Sequence, residues 1–361
     1  MTGEHEIGPV AERHRFDEAA LDRYLRGHLP GFEGPWTLKQ FEGGQSNPTF
    51  LISSPSGDYV LRKKPPGKLA SSAHAVDREY RIMKALADTG VPVPRVQIYC
   101  PDASIVGTPF YVMQFLAGRV HRDPLLPAME PAERAATYDA MNQTLAALHN
   151  VDWNAAGLAD YGKTQNYGKT QNYVARQLAR WSKQYEATKT GEDPLMEKLM
   201  GWLGANMPAS ESVTIAHGDY RLQNLVFHSH EPRVIGVLDW ELSTLGNPIG
   251  DLAFNCMAYH LPANSSLPES FAGTDIEALG IPSEADYVAA YCRRTGRDTI
   301  REWRFFLVFS LFRTAAIIQG VYARALQGNA SSAKAHLFGD LVGVTAEAAW
   351  ALAEDRNVGG A

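Results

Sequence analysis

The residues best suited to chemistry lie in His217-Gly218-Asp219-Tyr220-Arg221-Leu222-Gln223-Asn224 and in Asp239-Trp240-Glu241. Two short apolar runs, 225–227 and 234–238, separate these blocks and are joined by a polar turn, so they read as strands. Strands in that order present Asp219, Asn224 and Asp239 together. Phosphoryl transfer asks for such a set: a carboxylate near the attacking hydroxyl, and hard oxygen ligands that hold magnesium across nucleotide phosphates. Asp219 is assigned to the hydroxyl, Asn224 and Asp239 to the metal. The competing account is a structural salt-bridge network at a strand end, which does not require three separated elements to agree.

The elements that must position these groups begin upstream. Leu21, Tyr24 and Leu25 recur at helical spacing within 16–29, and Pro30-Gly31 stops the pattern. Three alternating segments follow at 36–41, 49–53 and 59–62, which predicts strands in meander order. The first of the turns between them contains Gly43, Gly44, Gln45 and Ser46, where glycine lets backbone N–H groups approach phosphate oxygens. Taken alone, that run is equally a plain hairpin turn. Residues 71–88 predict a helix capped by serine, in which Glu79 shares one face with Ile82, Met83 and Leu86. A carboxylate on an apolar stripe demands an inward cation. Arg62, at the end of the third strand, is the first choice and Lys63 the alternative; an exposed basic strand end is the bland account. Residues 110–115 predict a strand running into a hinge, with backbone groups of Gln114 and Phe115 facing an adenine.

Beyond the hinge the pattern is helical at 131–150, 172–187 and 302–325, and the strand at 213–216 is expected to join 225–227 and 234–238 in one small sheet that carries the chemistry. Tyr161 to Asn166 and Tyr167 to Asn172 both read YGKTQN, a tandem copy expected in an exposed loop without a catalytic role. The 361 residues, 45% hydrophobic and 20% charged, suit one large domain or two lobes and argue against disorder. A net charge of −6 disfavours nucleic acid as a partner. No apolar run in the sequence reaches the length of a bilayer span, so no membrane is expected. The acidic start lacks a secretory pattern, which points to the cytoplasm. Cys100, Cys256 and Cys292 read as buried thiols, and His228 and His230 as part of a solvated hairpin.

The spacing from Asp219 to Asn224 matches H-R-D-x-x-x-x-N of protein kinases, with Asp239 in the place of the Asp in D-F-G. With H-G-D-x-x-x-x-N, D-W-E and GNPIGDLA, the chain resembles the aminoglycoside phosphotransferase family. The stretches VLRKKPPGKL, HGDYRLQNLVFH, LDWELSTLGNP and FRTAAIIQGVYARAL are most similar to the kinase-like domain found alongside acyl-CoA dehydrogenases. The resemblance implies an α+β, protein-kinase-like two-lobe fold: a leading helical segment over 1–35, a nucleotide-binding lobe with a small antiparallel sheet over 36–116, and a mostly helical catalytic and substrate lobe over 117–361. It further implies magnesium and ATP, with GTP as an alternative, and a small-molecule hydroxyl as acceptor, such as a hydroxy acid or hydroxyacyl thioester. Asp251 would brace the catalytic loop. An aminoglycoside or amino-alcohol kinase and a nucleotide-binding scaffold are the alternatives. Arg221, Gln223, Tyr259, His260 and Arg313 are candidate acceptor contacts, although Arg313 suits a carboxylate of the protein better.

Overall fold

The computed structural model describes residues 7–41, 47–65, 75–162, 172–209, 212–263, 270–327 and 338–355. The chain divides into two compact units, one of Met1–Val120, Asn154–Leu158 and Gln223–Ser243, the other of His121–Trp153, Ala159–Leu222 and Thr244–Ala361. The Gly-rich turn and most of the YGKTQN repeat fall outside the described residues, as do Ser71 and Glu269.

The first unit is built on β1 (Ile7–Gly8), β2 (Thr37–Phe41), β3 (Thr49–Ser54), β4 (Gly57–Lys63), β5 (Val96–Cys100) and β6 (Phe110–Gln114). These pair antiparallel in the order β1-β2-β3-β4-β6-β5. Its helices are α1 (Glu18–His28), α2 (Val76–Leu86) and the single turn α3 (Ala103–Val106). Asp17 caps α1 by accepting the N–H groups of Ala19 and Ala20 at 2.9 and 3.0 Å. Leu21 and Leu25 of α1 then join Phe50, Ile52, Leu61, Phe110 and Val112 in one core. Burying two leucines is worth about 1.5–3 kcal/mol each, so the leading segment is part of this unit and not a separate piece.

The unit's last part is a hairpin of β8 (Leu225–Phe227) and β9 (Val234–Val237), which follow β7 (Thr214–Ala216) in the chain. Arg119 and Phe227 exchange both backbone hydrogen bonds at 2.8 Å. Gly118 permits that approach, since a Cβ there would stand 2.3 Å from the Phe227 carbonyl oxygen. This bridge explains why 223–243 leaves the helical part of the chain, contrary to the boundary expected at 117. The single small sheet is corrected as well: β7 pairs with β10 (Thr244–Gly246), and the hairpin pairs only with itself among named strands.

The second unit holds β7 and β10 with α4 (Pro131–His149), α5 (Tyr173–Thr188), α6 (Pro194–Ala205), α7 (Pro248–Asn255), α8 (Glu284–Thr295), α9 (Trp303–Leu326) and α10 (Gly339–Glu354). Despite the short apolar runs read from the sequence, α9 is long and apolar enough to cross a bilayer by length and composition. It is a core helix here, with Phe305 to Phe312 all buried and its neighbours α5, α7 and α10 packed on it. Cys100, Cys256 and Cys292 are free and buried, as expected.

Candidate active site

In the first unit, the β4 register sets Arg62 opposite Thr49 on one side and Tyr111 on the other. Its Nε lies 2.9 Å from Glu79 Oε2, and Nη2 lies 2.8 Å from Asp239 Oδ1 and 3.6 Å from Glu241 Oε2. Glu79 is 1% exposed and also accepts from Asn47 Nδ2 at 2.7 Å and the Tyr111 hydroxyl at 2.9 Å. The helix face that put a carboxylate among Ile82, Met83 and Leu86 thus meets its cation inside. Burial raises the Glu79 carboxyl above its ordinary value against the pull of Arg62, Tyr111 and Asn47. Burial opposes the Arg62 charge too, but Glu79, Asp239 and Glu241 more than offset it and hold the guanidinium charged.

Lys63 does not share this cluster, which corrects the alternative left open for it. Successive strand residues face opposite sides, so Lys63 enters the core, where Nζ donates to the Val106 carbonyl and stands 4.9 Å over the Phe16 ring. Burial lowers its pKa. Gln114 and Phe115 are corrected in part: their N–H groups donate to the Arg95 carbonyl at 2.8 Å and the Asp58 carbonyl at 3.3 Å, so neither amide is left for an adenine. The Phe115 ring stacks on Phe41 at 6.5 Å.

Asn224 and Asp239 flank the hairpin. Leu225 pairs with Val237, and the Leu238 N–H donates to the Asn224 carbonyl at 2.8 Å, so the ladder runs one step further, to Asn224 against Leu238, and Asp239 follows directly. Asp239 sits at φ 64°, ψ 59°, a left-handed conformation that costs a non-glycine residue of order 1–3 kcal/mol and recurs at functional positions. Trp240 holds the turn, donating from Nε1 to the Val237 carbonyl at 2.9 Å. A carboxylate and a carboxamide oxygen are hard donors of the kind magnesium takes, so the pair fits that ion. Gln223 is half-buried and precedes Asn224.

In the second unit, Asp251 of α7 braces the turn before Asp219. Its Oδ2 accepts the His217 N–H at 2.5 Å and its Oδ1 the Gly218 N–H at 2.9 Å. Gly218 takes φ 84°, where a side chain would strain the backbone. His149, the last residue of α4, lies 3.4 Å from Asp251 Oδ2 through Nε2 and 2.7 Å from the Tyr291 hydroxyl through Nδ1. Burial lowers the His149 pKa despite Asp251. Burial also works against the Asp251 charge, but His149, His217 and the Gly218 N–H bring its pKa below the ordinary value. Tyr220 is fully buried, with its hydroxyl on the Met141 carbonyl at 2.8 Å. Asp219 and Arg221 approach to 3.4 Å.

Three acceptor candidates are engaged within the protein. The Tyr259 hydroxyl donates to the Pro282 carbonyl at 2.7 Å, and His260 pairs with Glu284 at 2.8 Å. Arg313 donates to the Gly218 carbonyl and meets no carboxylate among the described ion pairs, contrary to the partner expected for it. The sequence reading missed Asn47, Tyr111, His149 and Tyr291. Asn47 directly follows the Gly-rich run and Tyr111 lies on a strand already assigned; both signals were present but not specific.

A family model described as the phosphotransferase enzyme family matches residues 37–306. Mouse acyl-CoA dehydrogenase family member 10 is 47% identical over 343 residues, which are 95% of this chain and 32% of that protein. Human acyl-CoA dehydrogenase family member 11 is 43% identical over 352 residues, 96% of this chain and 44% of that protein. The chain therefore spans less than half the length of these relatives. A solved structure from Ralstonia eutropha, provisionally named an aminoglycoside phosphotransferase, is 47% identical with a TM-score of 0.84, covering 94% of this chain and 99% of that one. The GDP complex of wild-type aminoglycoside 2'-phosphotransferase-IIIa, at 12% identity and a TM-score of 0.56 over 93% and 98% of the two chains, shares the fold. So does a streptomycin–ATP complex of an aminoglycoside phosphotransferase, at 14% identity and 0.56 over 94% and 98%.

Proposed function

The chain belongs to the phosphotransferase enzyme family, and on that premise we propose that it transfers the terminal phosphoryl group of ATP to a hydroxyl of a small molecule, with magnesium. The observation that carries this reading is the hairpin whose end sets Leu238 against Asn224 and leads straight into Asp239, whose carboxylate meets Arg62 at 2.8 Å. Two hard oxygen donors and a guanidinium held charged by buried Glu79 form a cation-and-metal arrangement suited to phosphates. Magnesium, when bound, offsets negative charge on the phosphate oxygens. Asn224 and Asp239 would hold it, and Arg62 contacts the phosphates. Asp219, five residues ahead of Asn224, orients the acceptor hydroxyl and takes its proton at the carboxylate. The protein supplies position and charge, and little covalent chemistry.

The acceptor is a hydroxy acid or its coenzyme A thioester. Two relatives carry acyl-CoA in their names, and an alcohol of that chemistry is a hydroxyacyl compound. An amino-alcohol acceptor is the second reading, favoured by the name of the Ralstonia protein. It would need carboxylates to neutralise each ammonium, and Asp275 and Glu277 are exposed in the second unit. The test has two arms: thermal shift with magnesium ATP and magnesium GTP, and ADP release over hydroxy acids, their thioesters, aminoglycosides, choline and homoserine. Nucleotide stabilisation with turnover on hydroxyacyl compounds is expected. Turnover on amino alcohols alone moves the acceptor to the second reading, and no shift with any nucleotide refutes the phosphotransferase.

A further inference from the structure

α9 is apolar along most of its length, and Arg313 is a charge set into it between Phe312 and Ala315, both fully buried. Its guanidinium lies against two rings, 5.2 Å from the centroid of Trp181 on α5 and 5.1 Å from that of Phe254 on α7. Two ring contacts restrict where a planar guanidinium can point, and its Nη2 donates to the carbonyl oxygen of Gly218. The next N–H in the chain, that of Asp219, donates to His217 Nδ1 at 3.2 Å. The peptide joining Gly218 to Asp219 is therefore held at both ends. The two N–H groups before it go to Asp251 instead. Gly218, at φ 84°, offers little steric resistance to rotation of that peptide. Rotation at ψ of Gly218 that is not cancelled at φ of Asp219 turns the Asp219 Cα–Cβ bond, and holding the peptide at both ends opposes it.

We propose that Arg313 is a positioning residue that latches the Gly218–Asp219 peptide and thereby sets the direction of the Asp219 carboxylate. The latch itself rests on the contacts within the second unit; its effect on turnover rests on the phosphotransferase reading. The Arg313 Nε–H has no hydrogen-bond partner among the described residues, so a rival role in holding an anionic acceptor is tested in the same series.

Arg313→Met keeps an unbranched stem against the rings and removes the donor, whereas Arg313→Lys restores a donor without the planar fork. Amide hydrogen exchange is measured on the full chain at His217, Gly218 and Asp219. The Asp219 amide should exchange about tenfold faster in Arg313→Met and by a smaller factor in Arg313→Lys, with His217 and Gly218 within about threefold of wild type. In ADP release with a hydroxyacyl coenzyme A, kcat should fall about 100-fold in Arg313→Met at nearly unchanged KM for nucleotide and acceptor, and recover in part in Arg313→Lys. Unchanged Asp219 exchange, or a rise shared equally by all three amides, overturns the latch. A raised acceptor KM at unchanged kcat assigns Arg313 to the acceptor and overturns it too. If Arg313→Met does not fold, Arg313→Lys decides, since a selective rise at Asp219 is still required. If wild type transfers no phosphate while exchange follows the expected pattern, the proposed function fails and the latch stands.

Discussion

Replacing Glu79 tests the buried cluster that joins α2 to β4. The carboxylate is 1% exposed and meets Arg62, Asn47 and Tyr111 at 2.9, 2.7 and 2.9 Å. Removing one partner of a buried ion pair costs about 3–5 kcal/mol. Arg62 keeps Asp239 at 2.8 Å, which places the electrostatic loss for Glu79→Ala at the lower end of that range. The Asn47 amide and Tyr111 hydroxyl also lose their acceptor, at about 1–3 kcal/mol each when no water enters and less when it does. A loss of about 4 kcal/mol is expected for Glu79→Ala. Glu79→Gln retains the volume and one acceptor but loses the charge that faces Arg62, for about 2 kcal/mol. Urea unfolding of wild type and both variants, followed by circular dichroism and by tryptophan fluorescence, reads the difference. Both variants within about 1 kcal/mol of wild type would refute the argument that Glu79 is buried against a charged Arg62.

Lys63→Met should leave nucleotide-induced thermal stabilisation intact while Arg62→Met abolishes it, because only Arg62 stands with Glu79 and Asp239; equal losses in the two would restore Lys63 as a phosphate contact. Asp239→Asn, which tolerates the left-handed backbone, should fold normally and lose the magnesium-dependent part of that stabilisation, measured with and without chelator. His149 has its pKa lowered by burial, so the folded state favours the neutral ring: its contribution is full above the ordinary value near 6.5 and lost as pH falls through the folded value. Wild-type melting temperature should therefore drop between pH 7 and 5 more steeply than that of His149→Gln, and parallel curves would show that this histidine does not titrate on unfolding.

Much of this was legible in the sequence where one local pattern determined the outcome. Glu79 among Ile82, Met83 and Leu86 could only be explained by an inward cation, and Arg62 is there. The meander of β2, β3 and β4 followed from alternation and turn residues. The brace by Asp251 came from resemblance and is present as two backbone hydrogen bonds. What failed was information carried by distant partners. Residues 213–216 read correctly as a strand, but nothing local said that they pair with Thr244–Gly246 and leave the hairpin alone. Strand β5 follows a Pro-rich stretch that masks its start, and β1 is two residues long. Tyr259 and His260 read as acceptor contacts because Pro282 and Glu284, which satisfy them, lie more than twenty residues on. Lys63 and Arg62 differ only by one step of strand register, and that step sends one to a core carbonyl and the other to a carboxylate cluster.

If Asp219 serves transfer of a phosphoryl group to a hydroxyl, mass spectrometry of the acceptor will detect the phosphorylated product. Wild type and Asp219→Asn are incubated with magnesium ATP and a hydroxyacyl coenzyme A, with ADP release and nucleotide affinity measured in parallel. Wild type should give a product heavier by one phosphoryl group, and Asp219→Asn turnover at least about 100-fold lower at nearly unchanged nucleotide affinity. Product formed by Asp219→Asn within about tenfold of the wild-type rate would contradict it.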